Sequence, residues 1–273
     1  MMKAFVYGLL CGVLLFICYP AYADTVSDLT EDYTAAGVPG QEQAAPSGFH
    51  GILGAGLFNV EKIVGDSDRK TVPLPLIIIT YKDLAYWSLG GGGVWLLQSD
   101  DRSLKLGVGV KVRRGWKADD DPDLAGMADR HTSLDGSVNA LWKTSVVNIN
   151  ASYYHDILNV SNGEAATLRL SRNFWIEPKF RLTPSVGVEW QSAKLVDYYY
   201  GVRPAEATAN RLAYNGRDTV NVGAGLGGAY RLSPDWSLMG GVYTTHLGSG
   251  ITDSPIVSHR FSTLVFFGAG WLF

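Results

Sequence analysis

The sequence has very little cysteine, no marked excess of charge of one sign and no long apolar run after its first residues. Its two cysteines, Cys11 and Cys18, both lie near the amino terminus, so the rest of the chain has no disulfide, thiolate metal site or catalytic cysteine. Basic and acidic side chains number 23 and 26, and this slight acidity, without a basic tract, excludes a nucleic-acid footprint. No later apolar run is long enough for a membrane-spanning helix.

The amino terminus has the pattern of an export signal. Lys3 precedes an apolar run over residues 4–19, and the triplet Ala-Tyr-Ala at 21–23 provides a small-x-small cleavage site. This pattern predicts a secretory signal peptide over residues 1–23 that is removed by cleavage. Residues 24–48 contain five acidic side chains, no basic one and few large apolar ones, which predicts a flexible acidic extension in the periplasm. A docking tail for a basic partner is the alternative.

Glycine, aromatic residues and two-residue alternation are abundant in the rest of the chain. The 32 glycines, 14 tyrosines and 8 tryptophans, with a mean hydropathy near zero, favour an alternating β-protein. The clearest alternation runs over residues 103–113, where leucine and valine oppose serine, glycine, lysine and arginine. Such segments have about the ten residues that a tilted strand needs to cross a bilayer. The predicted strands lie near 50–60, 73–81, 84–90, 93–98, 103–113, 132–143, 145–154, 164–175, 180–190, 219–231, 235–246 and 260–273.

The connections between these predicted strands alternate between short and long, except for a tight turn predicted at Gly91-Gly92. Outer-membrane barrels have short periplasmic turns and long external loops, so this asymmetry indicates the same architecture. The sequence therefore predicts an all-β fold, a transmembrane antiparallel up-and-down β-barrel of about twelve strands over residues 49–273. Ten strands are the alternative count. The long predicted loops are 61–72, 114–131, 155–163, 191–218 and 247–259.

The chain ends on a strand whose apolar residues alternate up to a terminal aromatic residue. This ending resembles the assembly signal of bacterial outer-membrane barrels, and an ordinary buried last strand is the alternative. Tryptophans near segment ends, such as Trp87, Trp142 and Trp236, fit the two aromatic girdles of a membrane barrel. The residues of the predicted assembly signal are Val265, Phe267, Ala269, Trp271 and Phe273.

Several short motifs resemble the landmarks of the MipA/OmpV outer-membrane family. They include Tyr-Tyr-Tyr-Gly-Val at 198–202 and Thr-Asp-Ser-Pro at 252–255, and the resemblance covers residues 49–273. It implies an outer-membrane barrel whose family includes a member that bridges a membrane-bound lytic transglycosylase and a bifunctional murein synthase. Other members of the family are surface antigens. The landmark residues are Tyr198, Tyr199, Tyr200, Gly201, Val202, Tyr214, Asn215, Asp253, Ser254 and Pro255.

The resemblance, together with the lack of a convincing catalytic set, leads us to expect a non-enzymatic scaffold without a cofactor. It would dock murein-processing enzymes through its periplasmic turns or through residues 24–48. The alternatives are an anion-preferring small-solute pore and a surface antigen or adhesin. We favour a plugged lumen with paired charges over a pore, because the loop 191–218 could fold inward. The predicted lumen charges are Lys105, Lys111, Arg113, Arg169 and Arg181 against Asp135 and Glu189.

Three further patterns could carry chemistry, and each has a plainer explanation. His131, Ser133 and Asp135 share a strand face, but positions two apart are separated by roughly 7 Å, too far for a catalytic triad. The glycines of 223–228 match a dinucleotide fingerprint but continue as strand, so we expect them to let inner residues crowd a narrow lumen. Rim histidines and an acidic loop lack the spacing of a metal site. These residues are His131, His155, His246, His259, Asp119, Asp120, Asp121 and Asp123.

Overall fold

Two-residue alternation produces a set of antiparallel strands in the computed structural model, which describes residues 48–65 and 69–273. The predicted signal peptide and nearly all of the predicted acidic extension lie outside the described residues. The strands are β1 (Phe49–Glu61), β2 (Arg69–Tyr81), β3 (Ala85–Ser88), β4 (Gly91–Gln98), β5 (Leu104–Arg113), β6 (Ser133–Lys143), β7 (Asn148–Asp156), β8 (Glu164–Ser171), β9 (Phe174–Glu177), β10 (Phe180–Gln191), β11 (Thr219–Ser233), β12 (Trp236–His246) and β13 (Phe261–Leu272).

The sheet closes on itself. β1 pairs with both β2 and β13, and β10 pairs with β11, so the order of strands returns to its start. β8 and β9 both pair with β10 at successive positions and together form one strand of the wall. The barrel therefore has 12 strands, which confirms the predicted fold class and count. Arg172, which breaks the apolar alternation of this region, lies at the interruption between β8 and β9, with its guanidinium 5.1 Å from the ring centre of Phe174.

The prediction of a tight turn at Gly91-Gly92 is wrong, because the turn lies two residues earlier. Leu89 and Gly90 form the turn, and Ser88 pairs with Gly91 across a hairpin of four residue pairs. Gly91 is glycine for another reason, since a Cβ atom there would lie 2.2 Å from the carbonyl oxygen of Val110 on β5. The glycine thus permits close strand approach within the wall rather than a turn.

The inward-facing side chains divide the barrel interior into an apolar part and a polar part. Strands β5 to β10 contribute most of the buried charged and polar groups, whereas β1, β2 and β11 to β13 contribute most of the apolar ones. Leu264 and Phe266, which interrupt the polar face of the last strand, are buried in the apolar part. That apolar cluster consists of Ile52, Phe58, Val60, Val72, Leu74, Leu76, Ile78, Leu89, Ala229, Met239, Tyr243, Leu264, Phe266 and Leu272.

The outer surface of the wall is apolar. Val138, Val186 and Leu168 are 62%, 53% and 44% exposed, and they occupy the strand face that points away from the interior. On β13 the same face carries Val265 and Phe267, which are 43% and 61% exposed. Such a surface suits lipid and not water, because burying apolar side chains in hydrocarbon avoids the cost of hydrating them. No helix within 48–65 and 69–273 is long and apolar enough to span a membrane.

Two inward glycines on β11 make room for one aromatic side chain. A Cβ atom at Gly223 or Gly225 would lie 2.3 or 2.4 Å from atoms of Tyr243, which faces the interior from β12. The ring of Tyr243 in turn lies 4.8 Å from the guanidinium carbon of Arg169. The glycine run at 223–228 is therefore part of a strand whose missing side chains let Tyr243 pack across the lumen.

We predict that Gly225→Val destabilises the barrel, whereas Ala224→Val does not, because position 224 faces outward. Overpacking against Tyr243 should lower the free energy of unfolding by about 1–3 kcal/mol. The measurement is urea unfolding in detergent micelles, followed by tryptophan fluorescence and by heat-modifiable mobility on gels. Identical unfolding midpoints for the two variants would contradict this packing.

Candidate functional site, a loop cap over the barrel interior

The two ends of the barrel differ in the length of their connections. Turns of two to five residues follow β2, β4, β6, β9 and β11, and we call this the short-turn end. Longer connections follow β1, β5, β7, β10 and β12 at the opposite, long-loop end. The connection after β10 contains helix α1 (Ala193–Tyr200), and the connection after β12 contains the short helix α2 (Ser249–Thr252).

The loops after β1, β5, β10 and β12 pack together into a single structure, which we call the cap. Helix α1 attaches the cap to the wall, because Leu195 and Tyr199 pack against inward-facing Tyr154 and Ala165. A second apolar cluster joins the α1 residue Val196 to the loop after β12. A third cluster joins the loops after β5, β10 and β12 and consists of Trp116, Leu124, Met127, Val202 and Ile256.

A buried ion pair lies at the centre of the cap. The Nη1 and Nη2 atoms of Arg130 donate to the two carboxylate oxygens of Glu206 at 3.1 and 2.9 Å. Both side chains are buried, and the Arg130 guanidinium also lies 5.1 Å from the ring centre of Trp116. A bidentate pair of this kind fixes both partners in direction as well as distance. It therefore joins the loop after β5 to the loop after β10 at one defined geometry.

Arg130 also binds the backbone of the loop after β10. Its Nε atom donates to the carbonyl of Tyr198 at 2.7 Å, and Nη2 donates to the carbonyl of Gly201 at 3.2 Å. Arg211 makes a parallel set of contacts, donating to the carbonyls of Asp123 and Glu206. Two buried guanidinium groups thus donate hydrogen bonds to backbone carbonyl oxygens of the cap loops.

The pKa of Glu206 is lowered by this environment. Burial alone would raise it, but the hydrogen bond from Arg130 and the backbone N–H groups of Ala128 and Arg203 outweigh burial. The result is a pKa lowered from 4.5 to about 2. Glu206 is therefore ionised at neutral pH, and its charge stabilises the closed cap.

All of the landmark residues lie in two loops of the cap, those after β10 and β12. The carbonyl of Tyr199 accepts from the indole of Trp116 at 2.9 Å, and that of Tyr200 accepts from the hydroxyl of Ser254 at 2.5 Å. Val202 pairs with Tyr214, whose hydroxyl donates to the Gly250 carbonyl at 2.8 Å. The landmark stretch from 198 to 202, in the loop after β10, therefore contacts the loops after β5 and β12. Of the remaining landmarks, Asp253 forms an exposed ion pair with Arg217, and Asn215 and Pro255 are exposed.

The charges predicted for the lumen all lie on inward-facing positions. Arg113 donates from Nε to Asp135 at 2.8 Å, and Lys105 forms an ion pair with Asp83 of a short turn. Glu189 accepts from the amide of Asn221 at 3.2 Å. Two further cations lie over aromatic rings, Lys111 over Tyr154 at 5.2 Å and Arg169 over Tyr243 at 4.8 Å. These cations, together with Arg181, are only 1% to 8% exposed.

The serine, histidines and aspartates that could carry chemistry make ordinary hydrogen bonds and ion pairs. The hydroxyl of Ser133 lies between two carboxylates: it donates to Asp156 at 2.6 Å, and an Asp135 oxygen lies 3.4 Å away. The imidazoles of His155 and His259 lie 3.7 and 3.9 Å from Glu164 and Glu61 at the long-loop end. Asp121 of the acidic loop pairs with Lys62 at 3.5 Å. Across residues 48–65 and 69–273, no three His, Cys, Asp or Glu side chains form a group that could hold a metal ion.

We predict that Glu206→Gln opens the cap while the barrel stays folded. Removing one charge leaves Arg130 buried without its counter-ion, which costs about 3–5 kcal/mol. Trypsin should then cleave after Arg211 much faster than in the unaltered protein. The matched control is Asp253→Asn, since its partner Arg217 is 62% exposed and exposed pairs contribute about 0–1 kcal/mol. Equal cleavage of the two variants would contradict a central role for the buried pair.

We also predict that acid opens the cap of the unaltered protein. Because the pKa of Glu206 is lowered from 4.5 to about 2, its stabilisation is complete above about pH 4.5 and is lost as the pH falls towards 2. The near-ultraviolet circular dichroism of the cap aromatics should decline over that range while the far-ultraviolet β signal persists. Glu206→Gln should have the low near-ultraviolet signal already at pH 7. Parallel curves for the two proteins would contradict the assignment.

Comparison with known proteins places the chain in a family. The model of the family described as MltA-interacting protein MipA matches residues 53–273. The MltA-interacting protein of Escherichia coli K12 is 29% identical over 227 residues, which is 81% of this chain and 89% of the relative. The outer membrane protein OmpV of Vibrio cholerae is 30% identical over 142 residues, 52% of this chain and 55% of the relative.

Among solved structures, the chain is similar to the translocator domain of the autotransporter NalP from Neisseria meningitidis. The sequence identity is 12%, the coverage is 94% of this chain and 100% of that chain, and the TM-score is 0.43.

The two relatives named above are similar to this chain in sequence, and OmpV is named an outer membrane protein. With a family match over nearly the whole barrel, the chain belongs to the MipA family and is a β-barrel protein of the outer membrane.

Proposed function

We propose that this protein is an outer-membrane adaptor that docks a murein lytic transglycosylase at the periplasmic side of the barrel. The observation that carries the proposal is the similarity, over 81% of the chain, to a protein named for its interaction with MltA, which is a lytic transglycosylase. The short-turn end is the periplasmic end, because outer-membrane barrels have their short turns there. An enzyme that acts on the murein layer therefore meets the short turns and the acidic segment at 24–48.

Side-chain hydrogen bonds hold two of the periplasmic turns. In the turn after β4, the carboxylate of Asp101 accepts from the hydroxyl of Ser99 and from the N–H and hydroxyl of Ser103. The next turn, after β6, is closed by Thr144, whose hydroxyl donates to the Val147 carbonyl at 2.7 Å. A surface that is already ordered loses little conformational entropy when a partner binds, which favours docking.

The barrel interior supports an adaptor better than a solute pore. The lumen cations are nearly fully buried. Lys105 and Arg113 form ion pairs with carboxylates, and Lys111 and Arg169 lie over aromatic rings, so these four charges have partners within the interior. The space beside Lys111 and Asn139 has a volume of about 20 Å³, which is room for about one water molecule. The cap crosses the external mouth, and an adaptor requires no passage through it.

The resemblance to the MipA/OmpV family adds a second partner to the proposal, a bifunctional murein synthase. One barrel would then hold an enzyme that cuts murein close to an enzyme that extends it. Residues 24–48 contain five acidic residues and no basic residue, a composition that suits a basic surface on either enzyme.

We predict that a photo-crosslinking amino acid at a periplasmic turn captures the lytic transglycosylase in intact envelopes. Suitable positions are Asp100, which is exposed, and Val146, which is 60% exposed. The matched control is Leu212 of the cap, which is 70% exposed at the opposite end of the barrel. Mass spectrometry of the captured species should identify the enzyme from the turn positions and not from Leu212.

A chain lacking residues 25–48 separates the two docking elements. Capture that persists from the turns assigns docking to the barrel, whereas capture that disappears assigns it to the acidic segment. Capture from Leu212 alone, or from none of the three positions in folded protein, would overturn the proposed function.

A further inference from the structure

The hairpin of β3 and β4 is too short to complete the barrel wall. β3 pairs with β2 only from Ile78 to Tyr81, so no strand of the described chain pairs with residues 69–77 on the side of β2 that faces away from β1. The wall therefore has a notch above the hairpin, towards the long-loop end. Unpaired backbone is costly in hydrocarbon, so such an edge is unusual in a membrane barrel.

Two prolines lie on this unpaired edge. The carbonyl of Tyr81 accepts from Leu84 of the hairpin, whereas the N–H of Lys82 donates to Gly48 on the β1 side. Backbone groups alternate in direction along a strand, so the odd-numbered residues of β2 point away from β1. Pro73 and Pro75 are odd-numbered, and their nitrogen atoms carry no hydrogen. The edge thus lacks two donors at the positions where another strand would need them, which disfavours strand addition.

Directly below the notch, the outer surface of the wall has an apolar groove of about 440 Å³. Its floor lacks a side chain at Gly92, and the ring of Trp87 lies against that position, since a Cβ atom there would be 2.4 Å from a ring carbon of Trp87. Val94 and Val108, which line it, are 43% and 41% exposed, so the groove opens outward to the membrane. The lining side chains are Phe49, Ile79, Tyr81, Ala85, Tyr86, Trp87, Val94, Val108 and Val110.

A cation lies at the periplasmic mouth of the groove. Tyr81 and Phe49 form this mouth, with their ring centres 4.7 Å apart. The ammonium of Lys82 lies 5.4 Å from the ring centre of Tyr81, on the turn that follows β2. Apolar walls that lead to one exposed cation at the membrane boundary match the two ends of a phospholipid, which has an acyl chain and an anionic head group.

We propose that this groove binds one acyl chain of a glycerophospholipid of the periplasmic leaflet, with the head-group phosphate at Lys82. The groove extends from the periplasmic rim towards the hairpin tip, as an acyl chain of that leaflet does. A partner helix is about 10 Å across and rises about 5.4 Å per turn, so 440 Å³ would hold only about one turn. The prolines oppose a partner strand. A lipid acyl chain is compatible with both the volume of the groove and the prolines beside it.

The test is lipid retention by the purified full-length protein in detergent, measured by native mass spectrometry with added palmitoyl-oleoyl phosphatidylglycerol. Val94→Trp fills the groove and should weaken binding by about tenfold, since the chain loses its apolar contacts. The matched control is Val188→Trp, whose position on β10 faces outward and is 44% exposed against 43% for Val94. This control should bind as the unaltered protein does. Ala85→Phe is a second groove-filling variant, in case Val94→Trp does not fold.

The head-group contact has its own pair of variants. Lys82→Glu should weaken phosphatidylglycerol binding about tenfold by replacing attraction with repulsion, whereas Lys179→Glu, on the turn after β9, should not. Heat-modifiable mobility on gels identifies the variants that are folded. Equal lipid retention by folded groove-filling variants and Val188→Trp would overturn the acyl-chain site. Equal retention by Lys82→Glu and Lys179→Glu would overturn the head-group assignment.

Discussion

Every other feature of this structure depends on one constraint, that backbone N–H and C=O groups in hydrocarbon must find partners within the protein. Apart from the notch beside β2, the chain meets this constraint by pairing its first described strand with its last, so that Ile52 lies opposite Leu272 and Val60 opposite Leu264. Closure fixes the alternation of side chains, since one face of each strand meets lipid and the other meets the interior. The polar interior, the apolar surface and the different ends of the barrel all follow from it.

The same constraint explains how much could be predicted from the sequence. Alternation is local, so it predicts the strands from residue types alone, and the twelve predicted segments agree with the wall apart from a few residues at their ends. The hairpin turn was misplaced because a glycine in a sequence can mark either a turn or a close approach of two backbones. Gly91 is of the second kind, and only its position opposite Val110 and Lys111 reveals this.

The cap could not be predicted by the same reasoning. Arg130 and Glu206 are separated by 76 positions, and neither belongs to a periodic segment or a motif with fixed spacing. The resemblance to the family singled out the stretch at 198–202, but the sequence gives no sign that its carbonyls accept from Arg130, Trp116 and Ser254. Tertiary contacts between irregular loops leave no local pattern, and so the central arginine and its carboxylate partner were missed.

The interlocking of the cap loops has a consequence for the exposed face of the molecule. Loops on barrel rims usually tolerate insertions and diversify rapidly, because each one moves without disturbing the rest. Here Arg130 and Trp116 of the loop after β5 donate hydrogen bonds to the backbone of the loop after β10. A change of length in the loop after β10 would displace that backbone. The loops of this face can therefore change in length only together, since altering one of them alone loosens its neighbours.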